Sequence, residues 1–143
     1  MDTTPIIVSQ VYPVSREVLW RAITDPAKMR QWFFPEIPGF EARVGFSVAF
    51  EVIAEGDAYL HQWQVLAAEP QRRLLVDWRY GGIAGQSEVE WRLSDQAGGS
   101  ALTLTHRGHE SFSGDASVFS REAGVNGWRY FLCDSLKGYL DRR

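Results

Sequence analysis

The middle of the chain, from residue 40 to residue 107, alternates between apolar and polar positions. Between Phe46 and Val52 every second residue is a large apolar one. This period of two predicts a strand with one buried face. Short turn segments separate it from similar runs at residues 58–68, 74–80, 89–93 and 102–106. Because the connections are short, the runs predict an antiparallel meander.

Signals of short elements precede this region. Residues 6–12 predict a strand that Pro13 ends. Ser15 is a suitable N-cap for a first short helix, whose apolar residues recur at helical spacing. Asp25-Pro26 combines a capping carboxylate with proline at the first helical position, and it predicts a second helix ending near residue 31.

A single longer helix is predicted after the meander. Apolar residues recur at spacings of three and four between Trp128 and Tyr139, which indicates a helix over residues 116–141. Gly124, Gly127 and Gly138 lie inside it, at a cost of up to about 1 kcal/mol each relative to alanine. These glycines either permit close approach or leave room beside the helix, or they are defects that tertiary packing tolerates.

Composition narrows the classes of function. The chain has 143 residues, which predicts one domain over 1–143, and 19 aromatic rings that can pack a core, line a cavity or do both. A net charge of −3 without a basic stripe argues against a nucleic-acid partner. No apolar run has the length of a membrane span or a signal peptide. With one cysteine, these features favour a cytoplasmic protein without internal disulfides.

Four segments, in their order along the chain, resemble the motifs of one family. They are residues 18–26 with 31–33 (VLWRAITDP and QWF), 69–78, 101–106 (ALTLTH) and 127–136. They are similar to those of domains related to the activator of the heat-shock protein 90 ATPase, in the START-like (SRPBCC) superfamily. The resemblance implies an α+β helix-grip fold. In that fold a curved antiparallel sheet of six or seven strands wraps around a long C-terminal helix, and two short helices follow the first strand.

Two positions depart from the family pattern. Phe33 stands where the family often has a second tryptophan, and Phe46 stands where it often has glycine. Either change would reshape a cavity wall.

The resemblance also implies a binding cleft between the sheet and the C-terminal helix. For the residues from strands, filled core and open cavity remain alternatives, because one bulge reverses the facing of a strand. The expected ligand-binding residues are Trp32, Phe34, Phe46, Val48, Phe50, Trp63, Trp78, Tyr80, Trp91, His106, Trp128, Phe131, Leu132 and Ser135.

Polar chemistry is sparse in the sequence. His106 is either a polar residue of the cavity or a histidine whose hydrogen bonds are satisfied at a strand end. His109 follows it without the spacing of a metal site, so neither a metal nor a cofactor is expected. His61 is expected at the surface or in a hairpin, and Cys133 is expected to be an inert thiol. No catalytic motif is present, so no catalytic residue is assigned.

We therefore expect a domain that binds a small hydrophobic or aromatic molecule. One alternative is a cyclase- or aromatase-like enzyme in the same cleft, with Tyr80, His106 or Arg107 as acid, base or anchor. The other alternative is a stress-related co-chaperone-like interaction domain. We expect no chaperone binding, because the family's co-chaperones carry a further N-terminal domain for which this chain has no room. A homodimer is compatible with the resemblance.

Overall fold

The computed structural model describes residues 3–142. One strand and two helices come first, a five-strand meander follows, and helical segments complete the chain. The strands are β1 (Ile6–Tyr12), β2 (Ser47–Ala54), β3 (Asp57–Glu69), β4 (Arg73–Tyr80), β5 (Ser87–Gln96) and β6 (Gly99–Arg107). The α-helices are α1 (Arg16–Thr24), α2 (Pro26–Trp32), α3 (Ala116–Phe119), α4 (Arg121–Arg129) and α5 (Lys137–Arg142).

All six strands form one antiparallel sheet in the order β1-β6-β5-β4-β3-β2. The two-residue turn between β2 and β3 has positive φ at both Glu55 and Gly56, which suits a tight hairpin. A bulge between Val65 and Ala67 shifts the register of β3 against β4. The inner face of the sheet carries the core, and the helices pack on that face. The predicted α+β helix-grip fold, with two short helices after the first strand, is confirmed.

Local capping explains the two short helices. The Ser15 hydroxyl accepts a hydrogen bond from the backbone N–H of Val18, 3.2 Å away. The Asp25 carboxylate accepts from Ala27 N at 2.9 Å, and Pro26 occupies the first turn of α2. Each cap pairs a backbone N–H that the first turn of a helix leaves without a partner.

The prediction of one uninterrupted helix over residues 116–141 is wrong at its start. Ser120 is extended, with ψ of 156°, and its hydroxyl caps α4 by accepting from Ala123 N at 3.1 Å. The short helix α3 therefore stands apart from the C-terminal helix, residues 121–142. That helix contains a π-helical segment, Tyr130–Leu136, between α4 and α5.

The C-terminal helix is fixed to the sheet by polar contacts as well as apolar ones. The buried Tyr12 hydroxyl donates to the Leu132 carbonyl at 2.7 Å, inside the π-helical segment. Ser135 donates to the carbonyl of Trp32, which joins the helix to α2. In the described part of the chain no helix is long and apolar enough to cross a membrane.

Candidate functional site

A cleft of about 250 Å³ lies between the sheet and the first half of the C-terminal helix, partly open to solvent. All three histidines of the chain border it. The other described lining residues are apolar or aromatic, and none of them is an acidic residue, a lysine or an arginine. The lining consists of Phe34, Ala54, His61, Trp78, Tyr80, His106, His109, Val118, Ala123, Gly124, Gly127, Trp128 and Phe131.

Two glycines of α4 determine how closely the helix approaches its neighbours. At Gly127 an added methyl group would have no heavy atom within 4 Å, so this turn of the helix leaves open space on the cleft. At Gly124 the same group would lie 2.8 Å from Ile6 Cδ1 and 3.0 Å from His109 Nε2. Gly127 therefore leaves room for a ligand, whereas Gly124 permits close packing.

His106 is held at the base of the cleft with both ring nitrogens in hydrogen bonds. The Trp128 indole N–H donates to Nδ1 at 3.1 Å, so the proton of a neutral ring must be on Nε2. Nε2 then donates to the Ser87 hydroxyl at 2.9 Å, which itself donates to the Trp78 carbonyl at 2.7 Å. Burial lowers the pKa of His106 to about 3, and nearby His109 contributes to this lowering. His106 therefore combines the two expected roles, since its hydrogen bonds are satisfied and the residue also borders the cleft.

His61 has one ring nitrogen left over. Its Nδ1 lies 3.1 Å from the Tyr59 carbonyl, which requires the proton on Nδ1 and leaves a lone pair on Nε2. Burial lowers the pKa of His61 to about 4, so the ring is neutral near pH 7. The ring stacks on Phe50 with centroids 5.3 Å apart. The residue is only 6% exposed and lies in β3 of the β2–β3 hairpin, so of the two expected positions the hairpin is correct and the surface is wrong.

Tyr80 faces His61 across the β3–β4 ladder. The two residues are register partners, and their ring centroids lie 4.9 Å apart in an edge-to-face arrangement. Burial raises the pKa of the Tyr80 hydroxyl to about 12, and the neighbouring Trp78 indole opposes this rise more weakly. The Trp78 N–H is directed to that side without completing a hydrogen bond to any residue of 3–142.

His109 contributes a third imidazole at the end of the cleft nearest α4. Its Nε2 lies 3.2 Å from the Ser120 carbonyl and therefore carries the proton of a neutral ring. Its Nδ1 is buried and has no hydrogen-bond partner among residues 3–142. Within the same residues, no group of three or more His, Cys, Asp or Glu is arranged to hold a metal ion.

Comparison with known proteins assigns the chain to a family. The family model described as "Activator of Hsp90 ATPase homolog 1-like protein" matches residues 13–141. The chain belongs to this AHSA1-like family. No curated protein matches the chain.

Solved structures of bacterial proteins share the fold. Protein CV1439 from Chromobacterium violaceum superimposes with a TM-score of 0.79 at 21% identity, covering 96% of this chain and 97% of its own. MLL2253 from Mesorhizobium loti gives 0.73 at 26% identity, with coverage of 96% and 97%. CalU16 from Micromonospora echinospora gives 0.60 at 26% identity, with coverage of 95% and 73%.

In this AHSA1-like domain most of the space between sheet and helix is filled, and Phe33 is the central filler. This residue was not among the predicted wall residues. Its ring lies 4.9 Å from that of Trp32 and 5.7 Å from that of Trp63, and it also contacts the rings of Trp78, Trp91, Trp128 and Phe131. Only a void of about 10 Å³ remains beside it.

The fourteen predicted ligand-binding residues divide between the cleft and its surroundings. Those that border the cleft are Phe34, Trp78, Tyr80, His106, Trp128 and Phe131. The buried core around Phe33 includes Trp32, Phe50, Trp63, Trp91 and Leu132. Phe46 and Val48 pack partly buried on the core, and Ser135 bonds to α2. The cleft also takes His61, His109, Gly124 and Gly127, which were not among the fourteen.

Proposed function

We propose that this AHSA1-like domain binds a small aromatic molecule in the cleft. The observation that carries the proposal is the combination of aromatic walls with the open space beside Gly127. Binding sites for small molecules are typically concave and apolar, with few polar groups that orient the ligand. An apolar cavity of roughly 150 Å³ accommodates benzene, so a cleft of about 250 Å³ is suited to one or two fused rings.

The cyclase-like alternative has weaker support in the same cleft. General acid–base catalysis works best with groups whose pKa lies near the working pH. Burial moves the pKa of His61 to about 4 and that of Tyr80 to about 12, away from neutrality in both cases. Both nitrogens of His106 are already used. These groups are better suited to orienting a ligand than to transferring its protons.

The test is to fill the cleft from the helix. Gly127→Leu places a side chain in the open space. We expect this variant to lose naphthalene binding, measured by tryptophan fluorescence. We expect its circular dichroism spectrum to match that of the wild type, which would show that the fold is retained. The matched control is Gly138→Leu in the same helix, where an added Cβ would meet only the end of the Arg142 side chain. Unchanged binding to Gly127→Leu would contradict the assignment of the cleft. An absence of binding to the wild type would contradict the proposed function itself.

A further inference from the structure

We propose that the ligand is an uncharged aromatic molecule of one or two rings with a hydroxyl group, and that this hydroxyl bonds to His61 and Tyr80. The inference rests on the proposed function and names the class of molecule that fits the cleft. It depends on the His61 lone pair and the Tyr80 hydroxyl proton, neither of which pairs with a described residue, and on the absence of acidic residues, lysine and arginine from the described cleft lining.

His61 supplies the hydrogen-bond acceptor. Its Nδ1 donates to the Tyr59 carbonyl in its own strand, so the remaining lone pair is on Nε2, the ring atom farther from the β3 backbone. No described residue donates to this atom. Phe50 stacks on the ring and Phe34 packs with its centroid 5.0 Å away, so the orientation of the lone pair is fixed. A ligand group that meets it must carry a proton, as O–H or N–H does.

Tyr80 supplies the second contact. The Trp78 N–H approaches the Tyr80 oxygen without completing a hydrogen bond of normal geometry, and no residue of 3–142 accepts the hydroxyl proton. The Tyr80 ring is positioned by Phe112 and Phe119, with centroids 4.9 and 5.2 Å away. Tyr80 and His61 are cross-strand partners with adjacent rings, and both border the cleft. A hydroxyl can donate to His61 while accepting from Tyr80, so one group on the ligand pairs both.

The cleft disfavours charged ligands because its described lining offers no acidic residue, lysine or arginine as a counter-charge. No described residue that borders the cleft is acidic or basic apart from the histidines, and His61 and His106 are neutral near pH 7 because burial lowers each pKa. A carboxylate or an ammonium group would lose its hydration there without gaining a counter-charge, which is strongly unfavourable. A phenolic hydroxyl carries a proton to donate and no charge.

A series of naphthalene derivatives of nearly equal size separates the effect of a ligand hydroxyl from the effect of a ligand charge. The probes are naphthalene, 2-naphthol, 2-naphthoate and 2-naphthylmethylammonium, titrated at pH 7 by isothermal calorimetry. We expect 2-naphthol to bind about tenfold more tightly than naphthalene, the effect of one to two net hydrogen bonds. We expect the two ions to bind more weakly than naphthalene.

Two variants test whether the tighter binding of 2-naphthol depends on Tyr80 and His61. Tyr80→Phe removes one oxygen atom, and His61→Phe replaces the imidazole by a ring compatible with its aromatic neighbours. Each is expected to raise the Kd of 2-naphthol several-fold and to leave the Kd of naphthalene nearly unchanged. Tyr130→Phe is the matched control, because Tyr130 is exposed on the C-terminal helix and does not border the cleft.

The outcomes distinguish this inference from the proposal beneath it. Equal affinities for naphthalene and 2-naphthol, or an equal loss of both in Tyr80→Phe, would overturn the hydroxyl contact and leave aromatic binding intact. Preferred binding of 2-naphthoate would overturn the neutral-ligand inference, as would preferred binding of the ammonium probe through cation–π contacts. If no member of the series binds, both the inference and the proposed function are wrong.

Discussion

Acid should destabilise this protein through two buried histidines. An unfolded histidine has a pKa near 6.5, whereas burial lowers the pKa to about 4 for His61 and to about 3 for His106. Below pH 6.5 the unfolded chain therefore binds protons that the folded chain does not. Unfolding is favoured as the pH falls, and the loss continues until each folded-state pKa is reached.

The size of the effect follows from the pKa difference. At pH 5 an unfolded histidine lies about 1.5 pH units below its pKa, which corresponds to about 2 kcal/mol per residue. The two residues together should lower the free energy of unfolding by about 4 kcal/mol between pH 7 and pH 5. This is a large part of the 5–15 kcal/mol typical of a folded domain.

The assay is urea unfolding at several pH values, for the wild type and for His61→Phe. Contributions from the carboxylates and from the other two histidines are common to both proteins and cancel in the difference. We expect the difference in unfolding free energy to change by about 2 kcal/mol between pH 7 and pH 5, in favour of the variant at low pH. Parallel pH profiles of the two proteins would refute the reasoning, because they would mean that His61 titrates alike in both states.

Three further predictions concern the C-terminal helix and its contacts. Gly127→Ala should stabilise the protein by up to about 1 kcal/mol, because it improves helix propensity at a position with open space. Gly124→Ala should destabilise the protein, because the added methyl group meets close neighbours. Thermal melting of the two variants tests both expectations. Trp128→Phe should cost about 1–3 kcal/mol in urea unfolding, because it leaves Nδ1 of buried His106 without a donor. Ser120→Ala should cost about 1 kcal/mol in the same assay, since it removes the cap of α4.

Elements with strong local signals were predictable from the sequence. The capping residues Ser15 and Asp25 begin their helices as expected, and the alternating runs coincide with β2 to β6. The break at Ser120 was missed, although a serine before a charged first turn is itself a capping signal. The apolar spacing that indicated the helix begins only at Trp128, so it carried no information about residues 116–127. The π-helical segment was not predicted, because apolar spacings of three and four residues do not by themselves separate an α-helix from a helix with one wider turn. The single-domain, cytoplasmic and homodimer expectations stay predictions.

The candidate site was only partly predictable, for a physical reason. Alternation places Phe50, Trp63 and Trp91 on the inner face correctly, but it cannot say whether another side chain covers them. Phe33 covers this part of the sheet from outside the meander, and no periodic pattern indicates where its ring goes. The buried position of His61, by contrast, could have been predicted, because it lies two residues from Trp63 in β3 and therefore on the same face of the strand.

The histidines that border the cleft lower the folding stability of the protein. A histidine in an apolar core is unfavourable in acid, and the buried Nδ1 of His109 without a partner costs about 1–3 kcal/mol by itself. The core around Phe33, by contrast, is packed by apolar and aromatic side chains. Replacing His61 by phenylalanine should therefore give a protein that is more stable at pH 5 and binds 2-naphthol less tightly. Opposite changes in stability and affinity are typical of functional sites. A His61→Phe variant with the stability at pH 5 and the 2-naphthol affinity of the wild type would show that the histidine serves packing alone.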